Sequence, residues 1–160
     1  MNIRKATTDD LDIVTNIEST CFPPAEAAPR KAFKGRLAHY ADHFLIIFDG
    51  NTPIGFIDGF VTDDEILTDE MFADASMHNP DGAWQMIFGL NTMPAYRNRG
   101  VGGQLIEAFI ELAKKENRKG VILTCKEEKI HYYAKFGFVN EGESVSDHGG
   151  AKWYQMRVVF

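Results

Sequence analysis

A glycine-rich turn flanked by two arginines carries the clearest chemical signature of the chain. Gly100, Gly102 and Gly103 follow Arg97 and Arg99, between a predicted strand and a predicted helix. Main-chain N–H groups at the start of a helix lack partners within the helix and lie at the positive end of its dipole. The turn therefore predicts an anion site whose size suits a pyrophosphate. The alternative is a structural turn that lets the helix begin close to the strand.

Two other phosphate-binding motifs do not fit this segment. The glycine spacing is not G-x-G-x-x-G, and no acidic residue follows at the distance that a ribose hydroxyl requires. No Gly-Lys-Ser/Thr sequence is present, so the turn is not a Walker loop either. The turn thus indicates a phosphate site of a different kind.

Hydrophobic periodicity predicts the elements that position this turn. Residues 83–93 form an apolar strand before it, and residues 100–117 form a helix after it. A short buried strand follows at 121–125, and then a helix over 127–136 that ends at Gly137. Two strands joined by a helical crossover must be parallel, so the sequence predicts one parallel pair inside a mostly antiparallel sheet.

The first half of the chain supplies further elements of a mixed α/β fold. Apolar residues at helical spacing predict helices from Leu11 to about Thr20 and over 27–40. An Asp-Gly turn joins two predicted strands, 43–49 and 53–62. Residues 68–81 are either a lid over a site or a surface excursion. The last two strands of the chain are predicted over 138–143 and 152–160.

Length and composition indicate one globular domain, residues 1–160. The chain has 44% hydrophobic and 25% charged residues, which excludes disorder as the default. The net charge of −6 and the scattered basic residues disfavour a nucleic-acid partner, and an acidic surface mildly favours cationic small molecules. The longest apolar run, residues 44–48, is far shorter than the roughly 20 residues of a membrane span. With no apolar signal segment at the N-terminus, we expect a cytoplasmic protein without a membrane partner.

Cysteine and histidine usage predicts no disulfide and no metal site. Cys21 and Cys125 are far apart and form no C-x-x-C pair, so they are expected to be reduced thiols. No cluster of His, Cys and acidic residues has the spacing of metal ligands. We therefore expect no metal cofactor.

Two motifs resemble the hallmarks of the GCN5-related N-acetyltransferase (GNAT) superfamily. Arg97-Asn-Arg-Gly-Val-Gly102 fits its R/Q-x-x-G-x-G/A signature, and Tyr132-Tyr-Ala-Lys-Phe-Gly-Phe138 is similar to its helix ending in F-Y-x-x-x-G-F. The resemblance covers essentially the full chain. Within the superfamily the sequence is most similar to the arylalkylamine (serotonin) N-acetyltransferase branch, through the segments 21–27, 123–127 and 148–156. The resemblance implies a single-domain GNAT-type fold with a central splayed parallel strand pair, flanked by helices.

The resemblance also implies direct transfer of an acetyl group from acetyl-CoA, as co-substrate, to a small primary amine. The main chain of residues 97–103 would hold the pyrophosphate, and the main chain of Leu90 and Thr92 would pair with the pantetheine arm. A bulge would splay this strand from the strand at 121–125 and leave room for the thioester. The implied cofactor-binding residues are Leu90, Asn91, Thr92, Arg97, Asn98, Arg99, Gly100, Val101, Gly102 and Gly103.

The same resemblance assigns Tyr133 as the general acid that protonates the departing CoA thiolate. A phenol suits this step because its ordinary pKa, about 10, is comparable to that of a thiol. The alternative for Tyr133 is an aromatic residue that only packs beneath the helix. The neighbouring Tyr132 is expected to face elsewhere.

The general base departs from the family pattern. The two histidines of the vertebrate serotonin enzymes match Met86 and Phe88, which cannot accept a proton. Invertebrate relatives use a glutamate after the first helix, and Glu26 has roughly that position. We therefore predict Glu26 as the base, acting through water. The alternative is a charge that only stabilises the start of the second helix.

Several alternatives stay open from the sequence. Asp58 either pairs with the substrate ammonium or faces solvent, and Cys125 either accepts the acetyl group or is a small apolar residue. The acceptor is a small amine or, as a rival, a protein or peptide. A third possibility is a regulatory acyl-CoA-binding module without catalysis. The natural amine, the acyl-chain preference and the oligomeric state, a homodimer included, are undetermined.

Overall fold

A computed structural model describes residues 1–160 and contains five α-helices and nine strands. The helices are α1 (Leu11–Cys21), α2 (Arg30–Tyr40), α3 (Asp69–Ala73), α4 (Val101–Lys115) and α5 (Ile130–Ala134). The strands are β1 (Asn2–Lys5), β2 (Phe44–Asp49), β3 (Thr52–Asp58), β4 (Val61–Thr62), β5 (Trp84–Met86), β6 (Gly89–Thr92), β7 (Gly120–Cys125), β8 (Val139–Glu143) and β9 (Tyr154–Val159). None of the helices combines the length and apolar character needed to cross a membrane.

The strands form two sheets, which confirms the predicted mixed α/β architecture. One sheet has the order β1-β2-β3-β6 and the other the order β4-β5-β7-β9-β8. Only β5 and β7 pair in parallel, and every other pair is antiparallel. The predicted crossover through α4 therefore connects the two sheets, because α4 lies in the chain between β6 and β7.

The strand predicted over 83–93 is two strands, and the chain passes from one sheet to the other between them. Ile87 N donates to Ile122 O of β7 at 2.9 Å, whereas Phe88 N donates to Asp58 O of β3 at 2.7 Å. In a regular strand, successive N–H groups alternate between the two sides, so Met93 should face the side away from β3. Met93 N nevertheless donates to Ile54 O at 2.8 Å. The register with β3 is unbroken from Gly89 to Thr92, so one extra residue, a bulge, lies at Phe88 and Gly89, which both face Asp58.

Close backbone packing also divides the strand predicted over 53–62. It separates into β3 and β4 at Gly59 and Phe60. A Cβ atom at Gly59 would lie 1.8 Å from Met86 O. Only glycine therefore fits where the backbone after β3 crosses the backbone at the end of β5. The prediction placed one continuous strand here because both halves are apolar.

The helix boundaries differ from the prediction by a few residues. Helix α2 begins at Arg30 instead of 27, because Pro29 is its extended N-cap residue. The helix predicted over 127–136 is a 3₁₀ turn followed by the short α5, and Gly137 follows with a φ of +96°.

Two hydrophobic clusters lie on opposite faces of the sheets. The first packs Leu105 and Phe109 of α4 against strand residues such as Leu123 of β7. The second joins α1 and α2 to the other face and includes Ile17 and Phe33. Residues 68–81 belong to this second layer, since Met71 is buried there. They form a packed segment, and none of them lines the cleft described below.

Candidate active site

The start of α4 presents main-chain donors that are free to bind a ligand. Gly100 is its N-cap in the left-handed conformation, with a φ of +79°. The first intrahelical bond of α4 runs from Gln104 N to Gly100 O at 3.1 Å. The amides of Val101, Gly102 and Gly103 precede it and have no partner within the protein. They lie at the positive end of the helix dipole, as the sequence predicts.

The two arginines of the turn make intramolecular contacts. Arg97 Nε donates to Thr92 O at 3.0 Å. The Arg99 guanidinium lies over the Tyr96 ring, 5.1 Å from its centroid, and the Tyr96 hydroxyl donates to Asp49. Arg97 thus lies at the cleft and Arg99 outside it. Two arginines flanking one anion site therefore stay a prediction, and of the two only Arg97 lies at the cleft.

Gly102 and Gly103 let aromatic side chains approach α4 closely. A Cβ atom at Gly102 would lie 3.0 Å from the Tyr132 hydroxyl oxygen. A Cβ atom at Gly103 would lie 3.3 Å from Phe136 Cζ. These two glycines therefore serve the packing of α5 against α4 as well as exposing the main chain.

The bulge turns the main chain of β6 outward. Because Met93 pairs with β3, the alternation of an antiparallel strand directs the N–H and C=O groups of Thr92 and Leu90 away from β3. Strand β6 has no partner on that side. These groups can accept an added strand-like ligand, the arrangement expected for the pantetheine arm.

A cleft of about 370 Å³ lies along β6, between the start of α4 and α5. It brings together most of the residues that the sequence assigns to cofactor binding, and also Tyr133. Of the predicted site residues, Arg99, Gly103 and Glu26 do not line it. The lining residues are Cys21, Phe22, Leu90, Asn91, Thr92, Tyr96, Arg97, Asn98, Gly100, Val101, Gly102, Lys129, Tyr132 and Tyr133.

Tyr133 lies in the cleft, and its phenol is protonated. Burial raises the pKa of its phenol well above the ordinary value, and the Cys125 thiol and Tyr132 add to the shift. The hydroxyl is therefore protonated throughout the physiological range. Its ring stands edge-on to Tyr132 at 5.2 Å and to Phe138 at 6.2 Å.

Tyr132 corrects one expectation, because it does not face elsewhere. It lines the same cleft as Tyr133, and its hydroxyl lies over Gly102 at the start of α4. The two side chains diverge from adjacent positions of α5 but remain within the cleft. Lys129, which precedes α5, is a further cationic lining residue that motif matching alone did not find.

Glu26 lies away from the cleft. It belongs to an exposed turn between α1 and α2, where its N–H donates to Pro23 O at 2.9 Å. The assignment of Glu26 as base stays a prediction that no contact in the structure supports. The carboxylate that reaches β6 belongs to Glu18, which is buried in α1. Helical spacing could have found it, because Glu18 is four residues after the buried Val14.

Asp58 meets neither of its two sequence-based expectations. It is fully buried, accepts a hydrogen bond from the Tyr40 hydroxyl at 2.8 Å and pairs with Arg36 at 3.3 Å. It neither faces solvent nor lines the cleft. The positions of the family's histidine pair are also occupied by packing residues, since Met86 is fully buried and the Arg36 guanidinium lies over the Phe88 ring.

Cys125 is a small apolar residue at the end of β7. It is buried against Met156, with 3.6 Å between the two sulfur atoms. Burial raises the pKa of its thiol to about 11, so the nucleophilic thiolate is scarce at neutral pH. Cys21 is at the cleft, where its thiol donates to Thr92 O at 3.4 Å.

Comparison with known proteins establishes the family. A model of the acetyltransferase (GNAT) family matches residues 11–138, so the chain belongs to that family. It is 29% identical, over 84% of its length, to the probable hydrolase YhcX of Bacillus subtilis, but it spans only 28% of that protein. It is 25% identical to the serotonin N-acetyltransferase of Mesocricetus auratus, over 88% of this chain and 76% of the enzyme.

Solved structures show the same fold. The loading GNATL domain of CurA from Lyngbya majuscula superposes with a TM-score of 0.86 at 12% identity, covering 99% of this chain and 96% of that domain. The GphF GNAT-like decarboxylase, in complex with isobutyryl-CoA, gives a TM-score of 0.85 at 19% identity and 99% coverage of both chains. Naa50 of Arabidopsis thaliana, in complex with the bisubstrate analogue CoA-Ac-MVNAL, gives 0.76 at 17% identity, covering 99% and 98%.

Proposed function

We propose that this protein is an acetyl-CoA-dependent N-acetyltransferase whose acceptor is a small primary amine. The observation that carries the proposal is the cleft in which free α4 amides, the outward main chain of β6 and the protonated Tyr133 lie together. These groups fit the three parts of acetyl-CoA that need recognition: an anionic pyrophosphate, an extended amide-bearing arm and a thioester.

Residues at the start of α4 would bind the pyrophosphate. Three partnerless amides and the helix dipole attract phosphate oxygens, and Arg97 and Lys129 supply positive charge at the same cleft. Leu90 and Thr92 would bind the pantetheine arm through main-chain hydrogen bonds. Arg97 and Cys21 already donate to the Thr92 carbonyl, so pairing there requires sharing or displacing these donors.

The proposed reaction is a direct transfer. The lone pair of the neutral amine forms a bond to the thioester carbonyl carbon, and the carbon–sulfur bond then breaks. Tyr133 gives its proton to the departing thiolate, so CoA leaves as the thiol. The attacking nitrogen releases one proton to water, and water returns a proton to the Tyr133 phenolate, which restores the acid. A route through an acetyl-cysteine is disfavoured because Cys125 is buried outside the cleft with a raised pKa.

An aryl or alkyl amine of the kind used by the arylalkylamine branch is the proposed acceptor class. The serotonin N-acetyltransferase relative supports it, as do the aromatic residues Phe22, Tyr132 and Tyr133 around the cleft. The net charge of −6 also favours a cationic small molecule over an acidic one. The rival acceptor is a peptide, the kind of group present in the Naa50 complex.

The experiment is CoA-thiol release from acetyl-CoA with tryptamine, phenethylamine, polyamines, amino sugars and a lysine peptide. We expect release with aryl amines, above the rate of thioester hydrolysis measured without amine. Release only with the peptide would indicate that the protein acetylates proteins or peptides and not small amines. Tight acetyl-CoA binding without release for any acceptor would support a binding module and contradict the proposed activity.

Tyr133→Phe tests the role of the acid in the same assay. Removal of a general acid lowers the rate by about 10² to 10⁴ fold. We expect a loss of kcat near the lower end of that range with the KM for acetyl-CoA unchanged. Tyr132→Phe is the matched control, since it removes a hydroxyl from the same cleft without removing the acid. Equal rates for wild type and Tyr133→Phe would show that Tyr133 is not the general acid.

A further inference from the structure

A buried hydrogen-bonded pair connects α1 to the cleft wall. Glu18 and Asn91 are only 8% and 2% exposed. Glu18 Oε1 accepts from Asn91 Nδ2 at 2.7 Å, and Glu18 Oε2 accepts from Ala28 N at 2.8 Å. The carboxylate therefore holds β6 on one side and the chain leading into α2 on the other.

This contact fixes the orientation of the Asn91 amide. A carboxylate has no proton to donate, so the amide atom that faces Glu18 must be the NH₂ group. The other amide atom, Asn91 Oδ1, is buried and has no hydrogen-bond partner in the protein. Buried carbonyl oxygens without partners destabilise a fold and are uncommon, so this oxygen requires an explanation.

The position of Asn91 in the cleft supplies that explanation. Asn91 lines the cleft between Leu90 and Thr92, whose main chains face the unpaired edge of β6. The Leu90 side chain packs with the α4 cluster, whereas the Asn91 side chain points to α1 on the opposite face. The Asn91 amide thus lies on the α1 side of the cleft-lining strand β6, opposite the side of β6 that packs on α4.

We propose that Asn91 is the residue that binds the acceptor nitrogen, and that Glu18 is the positioning residue that holds its amide in the receptive orientation. The inference rests on the function proposed above. Asn91 Oδ1 accepts a hydrogen bond from one N–H of the amine and directs the nitrogen to the thioester. A primary amine fits, because one N–H can stay on Asn91 while another proton leaves during amide formation. The contact is neutral, so it orients the nucleophile without holding it as an ammonium ion.

The test measures amine binding separately from acetyl-CoA binding. Steady-state kinetics give the two KM values, and calorimetry with CoA-loaded protein gives the affinity for the best amine of the panel. For Asn91→Ala we expect an amine KM about tenfold higher, the effect of losing one buried hydrogen bond, with the KM for acetyl-CoA unchanged.

Glu18→Gln tests the positioning role. A glutamine offers one acceptor and one donor group, so it cannot accept from both Ala28 N and Asn91 Nδ2, and the Asn91 amide is free to turn. We expect a smaller rise in the amine KM than for Asn91→Ala, and no additional rise when both changes are combined. Glu107→Gln, on the exposed face of α4, is the matched control.

Two results would overturn the inference in distinguishable ways. A folded Asn91→Ala protein, checked by thermal unfolding, with wild-type amine KM and affinity would overturn the role of Asn91 alone. An inactive wild type across the whole acceptor panel would overturn the proposed function, and this inference with it. Equal rises in the amine and acetyl-CoA KM values would indicate a general distortion of β6 and also contradict the proposal.

Discussion

Replacing Gly100 by alanine tests the turn that is proposed to bind the co-substrate. Gly100 has a φ of +79°, and a Cβ atom added there would meet no heavy atom within 4 Å. The change therefore introduces no clash, and its effect comes from the left-handed backbone alone. An L-residue in that conformation costs about 1–2 kcal/mol. We expect the free energy of unfolding to fall by about 1 kcal/mol, which lowers Tm by roughly 2–4 °C in a chain of this size.

Gly35 offers a matched control with the opposite sign. It lies inside α2, and a Cβ atom there also meets nothing within 4 Å. Alanine is favoured over glycine in a helix interior by about 0.5–1 kcal/mol. Gly35→Ala should therefore raise the free energy of unfolding, although both variants add the same methyl group.

Urea unfolding with and without acetyl-CoA separates stability from binding. A ligand that binds only the folded state raises the free energy of unfolding according to its concentration relative to Kd. We expect a smaller acetyl-CoA stabilisation for Gly100→Ala, because a relaxed turn redirects the α4 amides, and wild-type stabilisation for Gly35→Ala. A Gly100→Ala protein with wild-type stability and wild-type acetyl-CoA affinity would refute the reasoning.

Three further predictions concern individual titratable groups. Because the pKa of the Tyr133 phenol is raised, the wild-type rate should not decline at pH values where an ordinary tyrosine ionises, and a decline near pH 10 would contradict its role as the acid. Glu26→Gln should leave the acid limb of the pH–rate profile in place because Glu26 lies outside the cleft, whereas a flattened limb would restore it as the base. Asp58→Asn should lower the free energy of unfolding by about 3 kcal/mol, because it leaves the Arg36 guanidinium buried without its carboxylate, and a loss below about 1 kcal/mol in urea would argue against that pair.

The sequence predicts the fold well because periodicity reports burial directly. Helices α1 and α4 begin within a residue of their predicted starts, and the parallel pair follows from the crossover rule. The breaks inside the strands predicted over 53–62 and 83–93 are not predictable in this way. An apolar run shows that residues are buried, but not with which neighbouring strand each one pairs. The bulge near Phe88 depends on partners 30 or more residues away in the chain.

The candidate site is predicted in its backbone and less well in its side chains. Glycines mark the α4 turn because their backbone conformation is a local property, and Gly100 does adopt a positive φ. The directions of Arg97 and Arg99 depend instead on tertiary partners, Thr92 O and the Tyr96 ring. The contact of Glu18 with Asn91 has the same origin: helical spacing indicates that Glu18 is buried, but only the tertiary packing of α1 on β6 brings its carboxylate to Asn91.

The geometry of β6 separates the two proposed binding tasks by chemistry. Leu90 and Thr92 present main-chain groups, which any side chains at those positions would also present, so co-substrate binding there is insensitive to residue type. Asn91 presents a side chain whose orientation depends on Glu18. Substitutions at 18 and 91 should therefore change acceptor preference while acetyl-CoA binding persists, and substitutions at Gly100 should do the reverse. Under this proposal, acceptor specificity is a property of the α1 face of β6, and the motif at the start of α4 carries no information about it.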